Sequence, residues 1–139
     1  MYFRVVAFVL LGASAGFSGS VPKKVFHQAT PVPDRIILTW SGDPATTQSV
    51  TWRTDASVKR ARAEIAVAED GPKFTGEKRT VEATTVPFES NLGEARIHTA
   101  TFTGLEPDTL YAYRVGDGDN WSEWFQFRSA SREPKPLAF

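Results

Sequence analysis

The chain has no cysteine. A disulfide framework, a thiolate metal site and a cysteine nucleophile are therefore all excluded. It also has no net charge, since 16 Lys+Arg balance 16 Asp+Glu. Such a balance leaves no electrostatic footprint for nucleic acid and no basic stripe for an anionic membrane. No apolar run reaches the roughly 20 residues a spanning helix needs. No phosphate-cradling glycine loop occurs, and Glu69-Asp70 and Glu133 show no pairing suited to acid–base work. Histidine is scarce: His27 lies before the first strand and His98 in a strand, opposite Ile97. A metal or catalytic role needs convergent partners, and neither spacing supplies them. Both are expected as solvated or sheet-surface side chains.

The 139 residues suit one domain plus a processing segment, and 41% hydrophobic with 12% aromatic residues suffice for a core. Arg4 precedes the short apolar run Val5 to Leu11, and Ala13-Ser14-Ala15 fits the A-x-A cleavage pattern. Residues 1–15 are therefore expected to be a signal peptide and the protein to be secreted; an uncleaved anchor or a buried N-terminal element is the alternative. Residues 16–32 form a leader in which Val25-Phe26 can lie against the domain, and Pro31-Val32-Pro33 is a stiff lead-in.

From residue 33 the pattern turns to period two, the spacing at which alternate side chains share a sheet face. Arg35 to Trp40 reads as a first strand, ended by Ser41-Gly42-Asp43-Pro44. In Gln48 to Thr54, Val50 and Trp52 share one face, with Trp52 as a core centre, while Ser49, Thr51 and Arg53 share the other. Val58 to Ala68 has helical composition but strand spacing, with Ala61, Ala63, Ile65 and Val67 on one face and Arg60, Arg62 and Glu64 on the other. Thr80 to Val86 reads as a short edge strand broken by Pro87 and Asn91-Leu92-Gly93. Ala95–Phe102, Leu110–Val115 and Trp121–Arg128 complete the set, the last with Phe125 and Phe127 inward and Trp124, Gln126 and Arg128 outward.

The run Gly104 to Val115 joins two of these strands. It carries Leu105, the Pro107-Asp108 turn, Thr109 and then Tyr111 opening an alternating strand. This is the sequence form of a tyrosine corner, in which the Tyr hydroxyl bonds backbone a few residues upstream. The expected fold is all-β, an immunoglobulin-like or fibronectin type III-like sandwich of about seven antiparallel strands over residues 33–130, preceded by the signal-peptide helix. Residues 131–139 read as a linker, Arg132 to Pro136, and then the start of a further strand at Leu137-Ala138-Phe139; packing of that tail on this domain is the alternative.

Few residues invite chemistry. Asp117-Gly118-Asp119-Asn120 superficially resembles an oxygen-rich calcium loop, but the further ligands and the terminal Glu are missing, and hairpin-turn chemistry accounts for it. Asn120-Trp121-Ser122 is an N-glycosylation sequon, usable where the host glycosylates. Arg114 and Trp124 are expected outward on adjacent strands, where a guanidinium stacks on an indole for about 0.5–1 kcal/mol.

Asp34–Trp40, Gln48–Thr54, the tyrosine-corner run and Trp121–Arg128, in this order, resemble the N-terminal fibronectin type III-like domain of purple acid phosphatases. The resemblance covers about residues 33 to 139. It implies a parent protein in which this sandwich precedes a calcineurin-like metallophosphoesterase domain. That domain holds a dinuclear metal centre with Asp, Asn, His and Tyr ligands and hydrolyses phosphate monoesters, the metals polarising the phosphoryl oxygens. The metal-ligand motifs would lie beyond Phe139, so no catalytic, metal or cofactor residue is carried over, and this chain alone is expected to be inactive. Pro134 to Phe139 resembles the linker and opening strand of the second domain, which marks the chain as a fragment or an incomplete gene model. Trp121-Ser122-Glu123-Trp124 is also similar to a cytokine-receptor motif, but Phe125 stands where a Ser is expected and the receptor cysteines are missing. The alternative function is a free-standing secreted fibronectin-type binding module.

Overall fold

The computed structural model of the protein describes Val25 and residues 27–134. The expected signal peptide and the expected strand start at Leu137 lie outside the described residues.

Eight strands follow one another: β1 (Asp34–Thr39), β2 (Gln48–Asp55), β3 (Arg62–Val67), β4 (Arg79–Glu82), β5 (Thr84–Ser90), β6 (Gly93–Phe102), β7 (Leu110–Gly116) and β8 (Phe125–Arg128). A short 3-10 helix, Pro72–Glu77, precedes β4. One sheet has the order β1-β2-β6-β5 and the other β4-β3-β7-β8, and every pairing is antiparallel. Two such sheets face to face form the expected sandwich.

The count is eight rather than seven because the stretch after Arg79 serves both sheets. β4 pairs with β3, Ala83 donates its N–H to the Ala61 carbonyl at 2.9 Å, and β5 then pairs with β6. Pro87 does not end that strand. It sits inside β5 opposite Arg96, and an edge strand tolerates a residue with no N–H. The last strand is shorter than its sequence suggests: β8 begins at Phe125, and Trp121 makes only an isolated bridge to Gly116.

Alternation on the central strands builds the core. Val50 and Trp52 from β2, Ala63 and Ile65 from β3, Ala100 and Phe102 from β6, and Tyr111, Tyr113 and Val115 from β7 are all buried together with Ala61. Phe125 and Phe127 pack on them from β8, with ring centroids 5.6 Å from Tyr113 and 5.7 Å from Tyr111. Val67 departs from its expected face and is exposed. Val25 is likewise exposed rather than laid against the domain.

The polar face of β2 is covered more than alternation predicts. Arg53 is buried and gives its Nε to Asp34 Oδ1 at 2.8 Å and its Nη2 to the His27 carbonyl at 3.2 Å. That clamp ties the approach segment to the start of β1, where the β1–β2 register slips between Asp34 and Ile37.

Tyr111 accepts the Glu106 N–H at 2.8 Å on its hydroxyl, five residues upstream. The turn between them holds Asp108 at φ 50, a left-handed value that Asp adopts more readily than most residues. Tyr111→Phe removes the acceptor and strands a partly buried N–H, which should cost about 1 kcal/mol. In a thermal melt this appears as a midpoint lower by roughly 4–8 °C; an unshifted midpoint would show that the corner bond contributes nothing net.

Candidate interaction surfaces

His98 is not on the surface. It is fully buried, with Nε2 2.8 Å from the Thr54 hydroxyl and Nδ1 2.9 Å from the Thr85 hydroxyl, and its ring centroid stands 5.4 Å from that of Trp52. The expected surface histidine is instead a core one, because alternation alone does not say which face of a strand turns inward. In fact His98 shares a face with Ala100 and Phe102, and that face is the inner one. Burial lowers its pKa, and the Arg96 charge lowers it further against an opposing pull from Asp117. Both ring nitrogens are committed, so His98 is an internal strut. His27 is exposed.

The dinuclear centre implied by the resemblance finds no donor set here. Among the described residues no group of three or more His, Cys, Asp or Glu stands close enough to hold a metal ion.

The Asp117 loop is a self-contained turn. Asp117 Oδ1 accepts the N–H groups of Asp119 (2.9 Å) and Asn120 (2.7 Å), and Oδ2 accepts the Asn120 amide at 3.2 Å. Burial works against the charge on Asp117, but these donors outweigh it and hold the carboxyl below its usual range. Asn120 is thus half-buried, with its amide engaged inside the turn. A side chain at Gly116 would collide with this turn, since a Cβ there would stand 2.2 Å from the Asn120 carbonyl oxygen.

Arg114 stacks against two indoles, not one. Its guanidinium carbon is 4.2 Å from the Trp121 ring centroid and 4.9 Å from that of Trp124, and Phe74 meets Trp124 edge-on at 5.2 Å. Beneath them lies Glu64, which the strand pattern places outward but the structure buries. Its Oε2 accepts Arg114 Nε at 2.7 Å and pairs with Lys78 Nζ at 3.2 Å. The polar face of β3 is therefore a closed layer in which Glu64 is shared between two cations, Arg114 and Lys78. Glu64→Gln should weaken this layer by about 1 kcal/mol, a value kept small by the solvent that still reaches Arg114 and Lys78. The accompanying change in tryptophan emission would report the release of Arg114; unchanged emission would mean that the stacking holds without Glu64.

Two apolar surfaces remain. The outer face of the β1-β2-β6-β5 sheet exposes Ile37 (57%), Val86 (53%) and Phe88 (48%) around Ile97. The second is a groove of roughly 460 Å³ lined by Leu38, Thr39, Trp40, Gln48, Phe127 and Arg128, where β1 and β8 end beside each other. Trp40 stands 75% exposed at its rim. Period two groups Trp40 with Ile36 and Leu38 and so suggests core. The strand ends at Thr39, however, and the indole projects past the packed layer.

A family model described as "Purple acid Phosphatase, N-terminal domain" matches residues 33–129. Among solved structures, a computationally redesigned β-sandwich protein is 25% identical, with a TM-score of 0.46 over 73% of this chain and 96% of that one. Astrotactin-2, a vertebrate-specific perforin-like membrane protein, is 17% identical with a TM-score of 0.46, over 73% of this chain and 22% of that one. The sensor domain of the anti-sigma factor RsgI4 from Pseudobacteroides cellulosolvens is 13% identical with a TM-score of 0.41, over 70% and 97%. No curated protein matches the chain.

Proposed function

We propose, from the premise that this chain belongs to the purple acid phosphatase N-terminal domain family, that it is the non-catalytic sandwich of a secreted phosphatase. The parent protein would hydrolyse phosphate monoesters at a dinuclear metal centre in a metallophosphoesterase domain following this one. The sandwich would serve as a rigid flank for that domain. The observation that carries the reading is the family match over residues 33–129. Three features agree with it: the cleavable-looking N-terminal segment, the commitment of His98 and Glu64 to internal contacts, and apolar surface left for a partner.

The test is the full transcript read across the codon for Phe139, followed by assay of its product. A frame that continues into Asp-, Asn- and His-bearing metal motifs, with chelator-sensitive hydrolysis of p-nitrophenyl phosphate, is the expected result. A stop codon directly after Phe139 in a complete transcript would overturn it and leave a free-standing binding module. Secretion is checked separately by N-terminal sequencing of the exported protein, with cleavage expected after Ala15.

A further inference from the structure

The described chain leaves the sandwich at one pole, and three contacts pin it there. The Ala130 N–H donates to the Pro44 carbonyl at 3.0 Å, the Asp108 N–H donates to the Ala130 carbonyl at 3.1 Å, and Arg132 Nη2 stands 3.6 Å from Asp43 Oδ2. Pro44 and Asp43 belong to the loop that follows Trp40. The point of departure and the Trp40 groove therefore share one end of the domain.

A single exposed tryptophan is ordinary on a protein surface. Trp40 differs in standing over a groove whose floor includes Leu38 and Phe127, at the junction of two sheet edges. A large amphipathic ring beside an apolar recess has the form of a binding anchor. The five residues beyond Pro134 span at most about 18 Å when fully extended. In the parent protein, the domain that follows would begin within that reach of Pro134.

The Phe88 end of the other apolar face is at the opposite pole. Phe88 pairs with Ala95, which pairs with Asp55 at the far end of β2, whereas Gln48 at the near end lines the Trp40 groove. The run of β2 between those ends is about 23 Å by strand rise. Nothing in the structure says what covers Phe88, and the described chain ends at the other pole.

We infer that the groove of Leu38, Trp40 and Phe127 is the seat of the domain that follows in the parent protein, which places an apolar side chain against the Trp40 indole. The inference rests on the reading of this chain as the flank of a catalytic domain. It adds the face used and the residue that anchors it. Arg128 and Arg132 at this pole are each paired with an aspartate, Asp108 and Asp43, so the rim of the groove carries charge of both signs.

The test compares the 139-residue chain with the full gene product by amide exchange and limited trypsin digestion. In the full product, amides around Trp40 and Phe127 are expected to exchange at least about tenfold more slowly than in the short chain, while those around Phe88 do not change. Trp40→Glu should abolish this difference and speed cleavage after Arg132 by about tenfold or more. Trp40→Ala serves as a second variant without the added charge, and Phe88→Glu should leave both readouts alone. Release by Phe88→Glu instead, or equal exchange at Trp40 in both proteins, would overturn the inference. If the full product nevertheless hydrolyses phosphate esters in a metal-dependent way, the proposed function stands and only the docking face is wrong. A gene product with no following domain overturns both.

Discussion

Replacing Trp52 with alanine is expected to cost about 3–5 kcal/mol of folding stability, the range for emptying a large aromatic site in a core. Trp52 is fully buried at the middle of β2 and stands opposite His98 in the ladder with β6. It touches the same cluster as Phe102, Tyr113 and Val115, so its loss opens a void between the sheets rather than at an edge. A domain of this size has only about 5–15 kcal/mol to lose. Urea unfolding followed by the tyrosine signal and circular dichroism would show the midpoint collapse. A milder outcome is expected for Trp52→Phe. The indole Nε1 has no hydrogen-bond partner among the described residues, and a buried unpaired N–H costs about 1–3 kcal/mol. Phenylalanine removes that group as it removes volume, and the two effects partly offset. A loss under about 1 kcal/mol for the alanine variant would mean that the core is centred elsewhere.

Acid should destabilise the domain through His98. Its folded pKa lies below the ordinary value, so below about pH 6.5 the unfolded chain binds a proton that the folded core resists. Stability from this residue is therefore complete above that pH and is lost as pH falls toward the lowered folded value. The slope within that window is at most about 1.4 kcal/mol per pH unit, the limit for a single titrating group. The groups acting on the ring are the Thr54 and Thr85 hydroxyls, the Arg96 cation that disfavours the proton and the Asp117 carboxylate that favours it. Unfolding free energy measured across this window should flatten in His98→Gln, which retains polar contacts to the threonines but cannot titrate. If the variant keeps the wild-type slope, some other group is responsible.

The strands that lie inside a sheet were legible because both faces obey period two. β2, β3, β6 and β7 stand close to where their alternation put them, and the Pro107-Asp108 turn announced the corner that Tyr111 closes. What alternation cannot say is which of two faces is the inner one when both carry some apolar residues. That is why His98 was placed outside while Ala100 and Phe102, two and four residues on, pointed to the core. Glu64 was misplaced for a different reason. Its face is outward, as its neighbours suggested, but Arg114 and Lys78 close over it, and such a lid is assembled from three separate segments. The passage from β4 to β5 was missed because the change of sheet happens at Ala83, with no glycine or proline to mark it, while Pro87 marked a break that an edge strand does not need. The groove at Trp40 was hidden in the same way, since only the meeting of β1 with β8, about ninety residues apart in sequence, makes it.

Pro87 has one more effect. A free sheet border is a template on which another chain can grow, the first step toward fibres. The β5 border interrupts that template with a residue that has no N–H to offer an incoming strand, and Glu89 two positions on adds a charge to be brought out of water. Crowding of the protein at high concentration is therefore not expected to extend this sheet through β5. Association at this border would use side-chain surfaces, which can be remodelled one residue at a time, rather than the backbone.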